Sequence, residues 1–436
     1  MNDVFLPDCK FTPYWWDRTP RPPADAASAA TAALPPRVDV LVIGSGYTGL
    51  HAALQTARAG RSTLVVDADD CGFGCSTRNG GQISTSIKPG YAELSRRHGP
   101  EVAFAILQEG RRSLAWTGQF IADEKIDCDF AVTGRFHAAH NRQQYEKLER
   151  SLAAPVKGLE VAAHLVPRAE QHREIGTDAY HGGVVYEKFA GLDPGRYHQG
   201  LLERARASGA NIVAHCRVDG LDREGARFRV TTAKGVVDAG SVVVATNGYT
   251  SALTPWLRRR VIPIGSYIIA TEPVAPDLMA KLLPGPRMIT DSRKVVFYYR
   301  KSPDGTRILF GGRVSASETD PRVSGPRLHR ALVHLFPELR TTRLSHSWCG
   351  FVAYTFDELM HIGERDGLHY AMGYCGSGVG MAGYLGMRLG LQVLGKQDGA
   401  TALDGIEFQT RPLYTGNPWF LGPSVHYYRM RDKLPI

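Results

Sequence analysis

The sequence predicts an α/β domain built on a parallel sheet and interleaved with a second domain that is mostly strand. Three observations predict it. A strand, glycine turn, helix, strand unit occupies residues 38–66, where the β-branched run Val38–Ile43 ends in glycine and an Ala-rich helix, Leu50 to Arg58, follows. The same pattern fills Asp193 to Tyr249 and returns at His369–Gly373. Between these blocks, Val261 to Gly312 reads as strand throughout.

Taken in order, residues 1–36 are an aromatic arm with Tyr14, Trp15 and Trp16, then a Pro- and Ala-rich linker over 20–36. Residues 37–95, 190–255 and 346–436 are assigned to the α/β domain, and 96–189 and 256–345 to the strand-rich one. Helical periodicity runs from Tyr91 to Asp123, Arg142 to Leu152, Gly195 to Ala207 and Gly383 to Leu394. Strands are expected at Ser62–Val66, within Phe130–His140, at Asn211–His215, Arg227–Thr232, Gly235–Val237 and Ser241–Thr246, and at Tyr267–Thr271, Val295–Tyr299 and Arg307–Phe310.

A chain of 436 residues with 43% hydrophobic and 22% charged residues is long enough for two domains and too apolar for disorder. Its 52 Lys and Arg against 43 Asp and Glu give +9. The tightest basic cluster, Arg258-Arg259-Arg260, sits among Trp256, Val261 and prolines with no nucleic-acid-binding pattern, so it reads as a solvated run and no nucleic acid is expected. Seven cysteines with no short paired spacing give neither a disulfide framework nor a metal site. The start MNDVFLPDCKFTPYWWDRTP lacks a basic, apolar leader and no run is long enough to span a bilayer; a cytoplasmic location is expected.

GSGYTG places Gly44, Gly46, Tyr47, Thr48 and Gly49 at the opening of the first helix, with Asp67 and Ala68 at the end of the next strand. Gly44 allows the tight turn, Gly46 lets backbone approach a pyrophosphate, Gly49 allows close packing of helix on strand, and Asp67 can accept from ribose hydroxyls. This is a dinucleotide fingerprint in its proper Rossmann-like context, and it does not separate NAD from FAD. The glycine-rich loop Cys71 to Gln82, with a cation and amide side chains, has no evident use in a simple NAD domain.

In order along the chain, GSGYTGL, VVDA, GCSTRNGGQ, ATNGYT and GYCGSGVG resemble the FAD-dependent amine and D-amino-acid oxidoreductases, the DAO family, which includes glycine oxidase and monomeric sarcosine oxidase. Tyr14-Trp15-Trp16, RNGGQ, Ile126 to Asp129, Phe297 to Arg300 and the tail from Tyr427 are similar to the γ-glutamylputrescine oxidoreductase type within it. The resemblance implies a glutathione-reductase-type fold, an FAD-binding domain interleaved with an antiparallel substrate domain. It implies that Ser76, Arg78, Asn79, Gly80, Gly81 and Gln82 run beside the pyrophosphate and isoalloxazine. It further implies that Val218 meets adenine and that Ala245, Thr246, Asn247 and Gly248 lie on the pyrophosphate side. Gly376, Ser377, Gly378, Val379 and Gly380 then point a helix N-terminus at the flavin pyrimidine.

Three departures carry weight. Thr77 stands where relatives have glycine, which predicts a different local turn. The flavin-tethering cysteine of sarcosine-oxidase relatives aligns with Gly350, one residue from Cys349, and a slip of one reverses the face in a strand, so noncovalent FAD is expected. The carboxylate-binding arginine of glycine-oxidase relatives aligns with Val352, which favours amines over small α-amino acids unless Arg300 or another cation substitutes.

The expected chemistry is oxidation of a C–N bond by hydride transfer to FAD, followed by imine hydrolysis, with dioxygen or another acceptor reoxidising the flavin. Tyr298, Arg300, Trp348 and Tyr354 are the pocket candidates, while His361 is a weaker base candidate in a turn and Lys294 a lysine near the right strand. The alternatives are an amino-acid oxidase or dehydrogenase and a non-catalytic FAD-binding subunit.

Overall fold

Apolar β-branched runs favour strands buried on both faces, and Arg37–Ile43, Thr63–Val66 and Asn211–Val213 pair in parallel accordingly. A computed structural model describes residues 4–21, 34–313 and 319–432. In its eight-stranded sheet Gly235–Val244 pairs in parallel with Arg37–Ile43 and with Leu368–Met372, so segments far apart in sequence close one sheet. The helices Tyr47–Arg58, Pro194–Ala207 and Gly378–Val393 share one core with this sheet. Small residues let two of them touch: a Cβ on Gly386 would come within 2.5 Å of the Thr48 carbonyl oxygen.

The second sheet has nine strands, in the order Phe5–Lys10, Leu344–Tyr354, Ile262–Thr271, Ile308–Gly312, Phe297–Lys301, Met288–Asp291, Arg135–Ala138, Gly183–Tyr186 and Ala163–Val166. One face packs on the helix Pro321–Leu335 through Tyr267, Tyr299, Phe310 and Leu328. On the other face Ile268, Ala270, Leu309 and Trp348 pack on Tyr14 and Trp15 of the arm.

Several expectations need correction. The arm is not separate from the sheets, because Phe5–Lys10 is the edge strand beside Leu344–Tyr354. Leu344–Tyr354 is one continuous strand of the nine-stranded sheet and runs across the expected boundary at 346. Most of the expected linker, 22–33, lies outside the described residues. The all-strand stretch 261–312 contains the helix Pro276–Leu282, started by its N1 proline. Gly235–Val244 is one strand rather than two. The helix expected from Tyr91 divides into Tyr91–His98 and Pro100–Asp123 at Gly99 and Pro100. The last helix begins at Gly378, not Gly383. Among the described residues no helix is long and apolar enough to cross a membrane.

Candidate functional site

The first glycine turn is shaped by contact. Gly44 has φ +103°, and a Cβ there would lie 3.0 Å from the Ala245 carbonyl oxygen; a Cβ on Gly49 would lie 1.9 Å from the Gly44 carbonyl oxygen. The turn therefore needs glycine at both positions. The helix Tyr47–Arg58 has no side-chain cap, since its N-cap is Gly46. Tyr47 N–H donates to Ser76 Oγ at 3.0 Å, and Thr48 Oγ1 is 2.6 Å from the Tyr374 hydroxyl.

Asp67 Oδ2 accepts from the Ser45 N–H and hydroxyl, at 2.8 and 2.6 Å, and burial raises its pKa above the usual carboxylate range. Cys216 N–H donates to the Asp67 carbonyl, which brings the start of the strand Val218–Glu224 beside Asp67 and Ala68.

The loop 76–82 is held carbonyl by carbonyl. Trp348 Nε1 donates to the Arg78 carbonyl at 2.9 Å, Trp15 Nε1 to the Asn79 carbonyl at 2.8 Å, and Arg300 Nη1 to the Gly81 carbonyl at 3.3 Å. Asn79 adds internal bonds, accepting from Gly81 N–H and donating to the Cys75 and Ser76 carbonyls. Gln82 donates weakly to the Tyr299 carbonyl. The Thr77 departure has a partner set of its own: in a 3-10 turn, its hydroxyl donates to the Gly72 carbonyl and accepts from Trp16 Nε1 and Arg21. Arg78 turns to the Phe73 and Cys349 carbonyls and stacks on Phe73 and Trp16.

The four pocket candidates separate into two pairs. Arg300, 7% exposed, also donates to the Leu192 and Lys301 carbonyls, so its guanidinium is committed to backbone; burial pulls its pKa down to about 10, which leaves it charged. Trp348 is fully buried. Tyr298 and Tyr354 keep partial exposure. The Tyr298 ring lies over Gly311 and against Gly80, where a Cβ would be 3.1 Å away, and its hydroxyl is 2.8 Å from Ser266 Oγ. Tyr354 faces Lys88, whose Nζ is 5.8 Å from the ring centroid, and its hydroxyl would be 3.8 Å from a Cβ on Gly376.

At the carboxyl end, Gly376, Ser377, Gly378, Val379 and Gly380 form the opening of a helix that also lacks a side-chain cap, and Ser377 Oγ donates to the Ser86 carbonyl. Thr246 and Asn247 close on the same region, with Gly373 N–H donating to Asn247 Oδ1 and Gly248 packed on the Phe351 carbonyl. A side chain at Gly350 would meet Arg78 Cβ at 3.0 Å and Cys75 Sγ at 3.5 Å, whereas Cys349 packs against the core on the opposite face. His361 is buried, stacked on Phe408 and bonded to Asp357, a structural placement. Lys294 is anchored by its backbone N–H to Asp432.

Sequence reasoning missed Lys88, His137 and Ser266. Lys88 follows the glycine loop with no motif to mark it, and His137 and Ser266 gain meaning only from strand register, which joins His137 to Thr290 and Thr290 to Tyr298. Two uncapped helix ends, a glycine cradle and a half-buried carboxylate at a strand end are a donor and acceptor set that fits a dinucleotide's diphosphate and ribose.

The family model for FAD dependent oxidoreductases, DAO, matches residues 39–390. The chain belongs to the DAO family. It is an FAD-dependent oxidoreductase. A probable oxidoreductase, OrdL, of Rhizobium meliloti (strain 1021) is 30% identical over 404 residues, covering 91% of this chain and 92% of the relative. The γ-glutamylputrescine oxidoreductase of Escherichia coli (strain K12) is 29% identical over 412 residues, covering 91% and 93%. Among solved structures, glycine oxidase from Geobacillus kaustophilus shares the fold, with TM-score 0.71 at 18% identity over 87% of this chain and 99% of that one.

Proposed function

We propose that the protein oxidises the C–N bond of an amine, using noncovalently held FAD. The observation that carries the reading is the seating of the RNGGQ loop on Tyr298: Gly80 rests on the ring, and Tyr354 lies at the other flavin-type segment, beside Gly376. FAD, when bound, supplies the acceptor for the hydride that leaves the carbon next to nitrogen. Ser76, Asn79 to Gln82 and the opening of the helix Gly378–Val393 would hold it, with Gly44 to Gly49, Asp67, Ala68, Val218 and Ala245 to Gly248 around its diphosphate and adenosine.

The chain's own contribution is orientation. Trp15, Trp348 and Arg300 fix the loop, so the surface it presents does not reorganise as charge moves. Tyr298 and Tyr354 offer aromatic walls to a neutral amine. Burial pushes the Tyr298 hydroxyl well above its ordinary pKa, so it remains a proton donor toward Ser266 or substrate at neutral pH. Val352 supplies no fork for a carboxylate beside the reacting carbon, and Arg300 is committed elsewhere. Both facts support amines over small α-amino acids.

Noncovalent attachment is supported by Gly350 and by the packing of Cys349 against the core on the opposite face of the strand; the Cys75 thiol, 3.5 Å from where a Gly350 Cβ would lie, is pushed up to about 12 by burial and stays protonated. The test is a panel of polyamine-derived amines, N-methyl amino acids and D-amino acids with peroxide detection, followed by acid denaturation. The reading expects turnover with amines and yellow flavin in the supernatant. Turnover confined to α-amino acids, or flavin retained by the precipitate, contradicts it.

A further inference from the structure

Arg135 is a guanidinium without an acid. It lies on the strand Arg135–Ala138 with its carbon Cζ 4.1 Å from the Phe189 ring centroid and 4.9 Å from that of Tyr186. Among the described residues its Nε is buried with no hydrogen-bond partner and no carboxylate pairs with it. The residue keeps partial exposure, and the two aromatic rings stack on its guanidinium plane. An arginine half withdrawn from water is ordinarily paired, because its charge is then less well solvated. This one is pre-set for an anion that the chain does not supply, and the planar fork matches a carboxylate.

The surroundings agree. Alternation along the strand puts His137 on the same face, with Nδ1 2.9 Å from Thr290 Oγ1. Burial above all, and then the nearby Arg135, His140 and Lys88, pull the His137 pKa down to about 3; no acid offsets them. Lys88 is solvent-exposed, faces the Tyr354 hydroxyl and has Glu358 and Cys375 nearby. Arg135 itself is pulled only to about 10 and remains a cation.

Register fixes the distance to the chemistry. His137 pairs with Thr290 and Thr290 with Tyr298, so two strand spacings of about 4.8 Å separate His137 from Tyr298. Arg135 lies a further two residues along, about 7 Å. We infer that the substrate carries a carboxylate several bonds away from its reacting amine, and that the Arg135 fork receives it, with His137 and Lys88 alongside. A carboxylate on the carbon that bears the amine cannot reach both ends. This rests on the amine-oxidation reading and deepens it.

The experiment titrates the FAD-loaded protein anaerobically with 5-aminopentanoate, 5-aminopentanamide and pentylamine, following flavin absorbance for binding and reduction. The wild type should bind the carboxylate at least about tenfold more tightly than the amide or the plain amine. Arg135→Met should abolish that preference with unchanged flavin content and unchanged affinity for pentylamine. Arg135→Lys, which keeps the charge and stem, should lose most of it, and this variant serves if the Met variant does not fold. Equal affinity for the three probes in the wild type, no response to any of them, or a preference that survives in the variants would overturn the inference. Reduction by pentylamine without a carboxylate preference removes this inference alone; a flavin that no amine of the wider panel reduces removes the underlying reading as well.

Discussion

Replacing Arg300 by methionine separates two roles that its position alone allows. Its guanidinium donates to the carbonyls of Gly81, Leu192 and Lys301 at 3.3, 2.9 and 3.0 Å. Methionine fills much of the stem's volume but offers no donor. The Gly81 carbonyl keeps the Leu192 N–H as a donor at 2.9 Å, so the Leu192 and Lys301 carbonyls carry the loss; at about 1–3 kcal/mol for each carbonyl left without a donor the sum is roughly 4 kcal/mol. An unfolding entropy of about 2.1 cal/mol/K per residue comes to about 0.9 kcal/mol/K for the whole chain, so Tm should fall by about 4 °C. The released Gly80–Gly81 turn should also lose its seat on Tyr298, and FAD should bind more weakly. Differential scanning fluorimetry, flavin content after gel filtration and steady-state kinetics check this together. Unchanged Tm and flavin content with a large rise in KM would refute the reasoning, since that pattern belongs to a side chain that binds substrate.

Other changes follow from the same contacts. Gly49→Ala places a Cβ 1.9 Å from the Gly44 carbonyl oxygen, so the variant should purify without flavin and lose about 1–3 kcal/mol, read by absorbance near 450 nm and by urea melts. Arg18→Met strands the fully buried Asp193, to which Arg18 Nε donates at 2.7 Å, and should cost about 3–5 kcal/mol; Asp193→Asn in the same background should recover part of it. Acidification should destabilise the fold below about pH 6.5. His51 and His198 are buried, and burial pulls them down to about 3 and about 4. The unfolded chain therefore binds more protons in that window, and stability falls as pH drops from about 6.5 toward 4, by roughly 2–3 kcal/mol for each histidine; Tm against pH in His198→Asn should show a shallower slope.

The α/β half of the fold was legible because its signals are local. Val38–Ile43, the glycine turn and the Ala-rich helix declare themselves within thirty residues, and Gly44, Gly49 and Asp67 stand where that pattern puts them. The edge strand Phe5–Lys10 was not legible, because a strand of mixed polarity is defined by its partner, Leu344–Tyr354, more than three hundred residues away. The same holds within the site. Arg300 and Trp348 were visible as chemistry-bearing residues, yet their hydrogen bonds go to carbonyls of a loop distant in sequence, which makes them supports of the loop. Arg135, His137 and Lys88 lie in unremarkable local sequence; strand alternation puts Arg135 and His137 on one face, and only the folded chain brings Lys88 near them. The basic excess is partly placed as well: Arg18, Arg21, Arg78 and Arg300 are spent holding the arm and the glycine loop together.

Anaerobic reduction of the bound flavin by an amine tests the central claim most directly. With the FAD-loaded protein in the absence of dioxygen, absorbance near 450 nm should bleach on adding an amine substrate, with one substrate consumed per flavin and one carbonyl product released. Flavin that stays oxidised across the amine panel, in protein that retains FAD and its native Tm, would contradict the account.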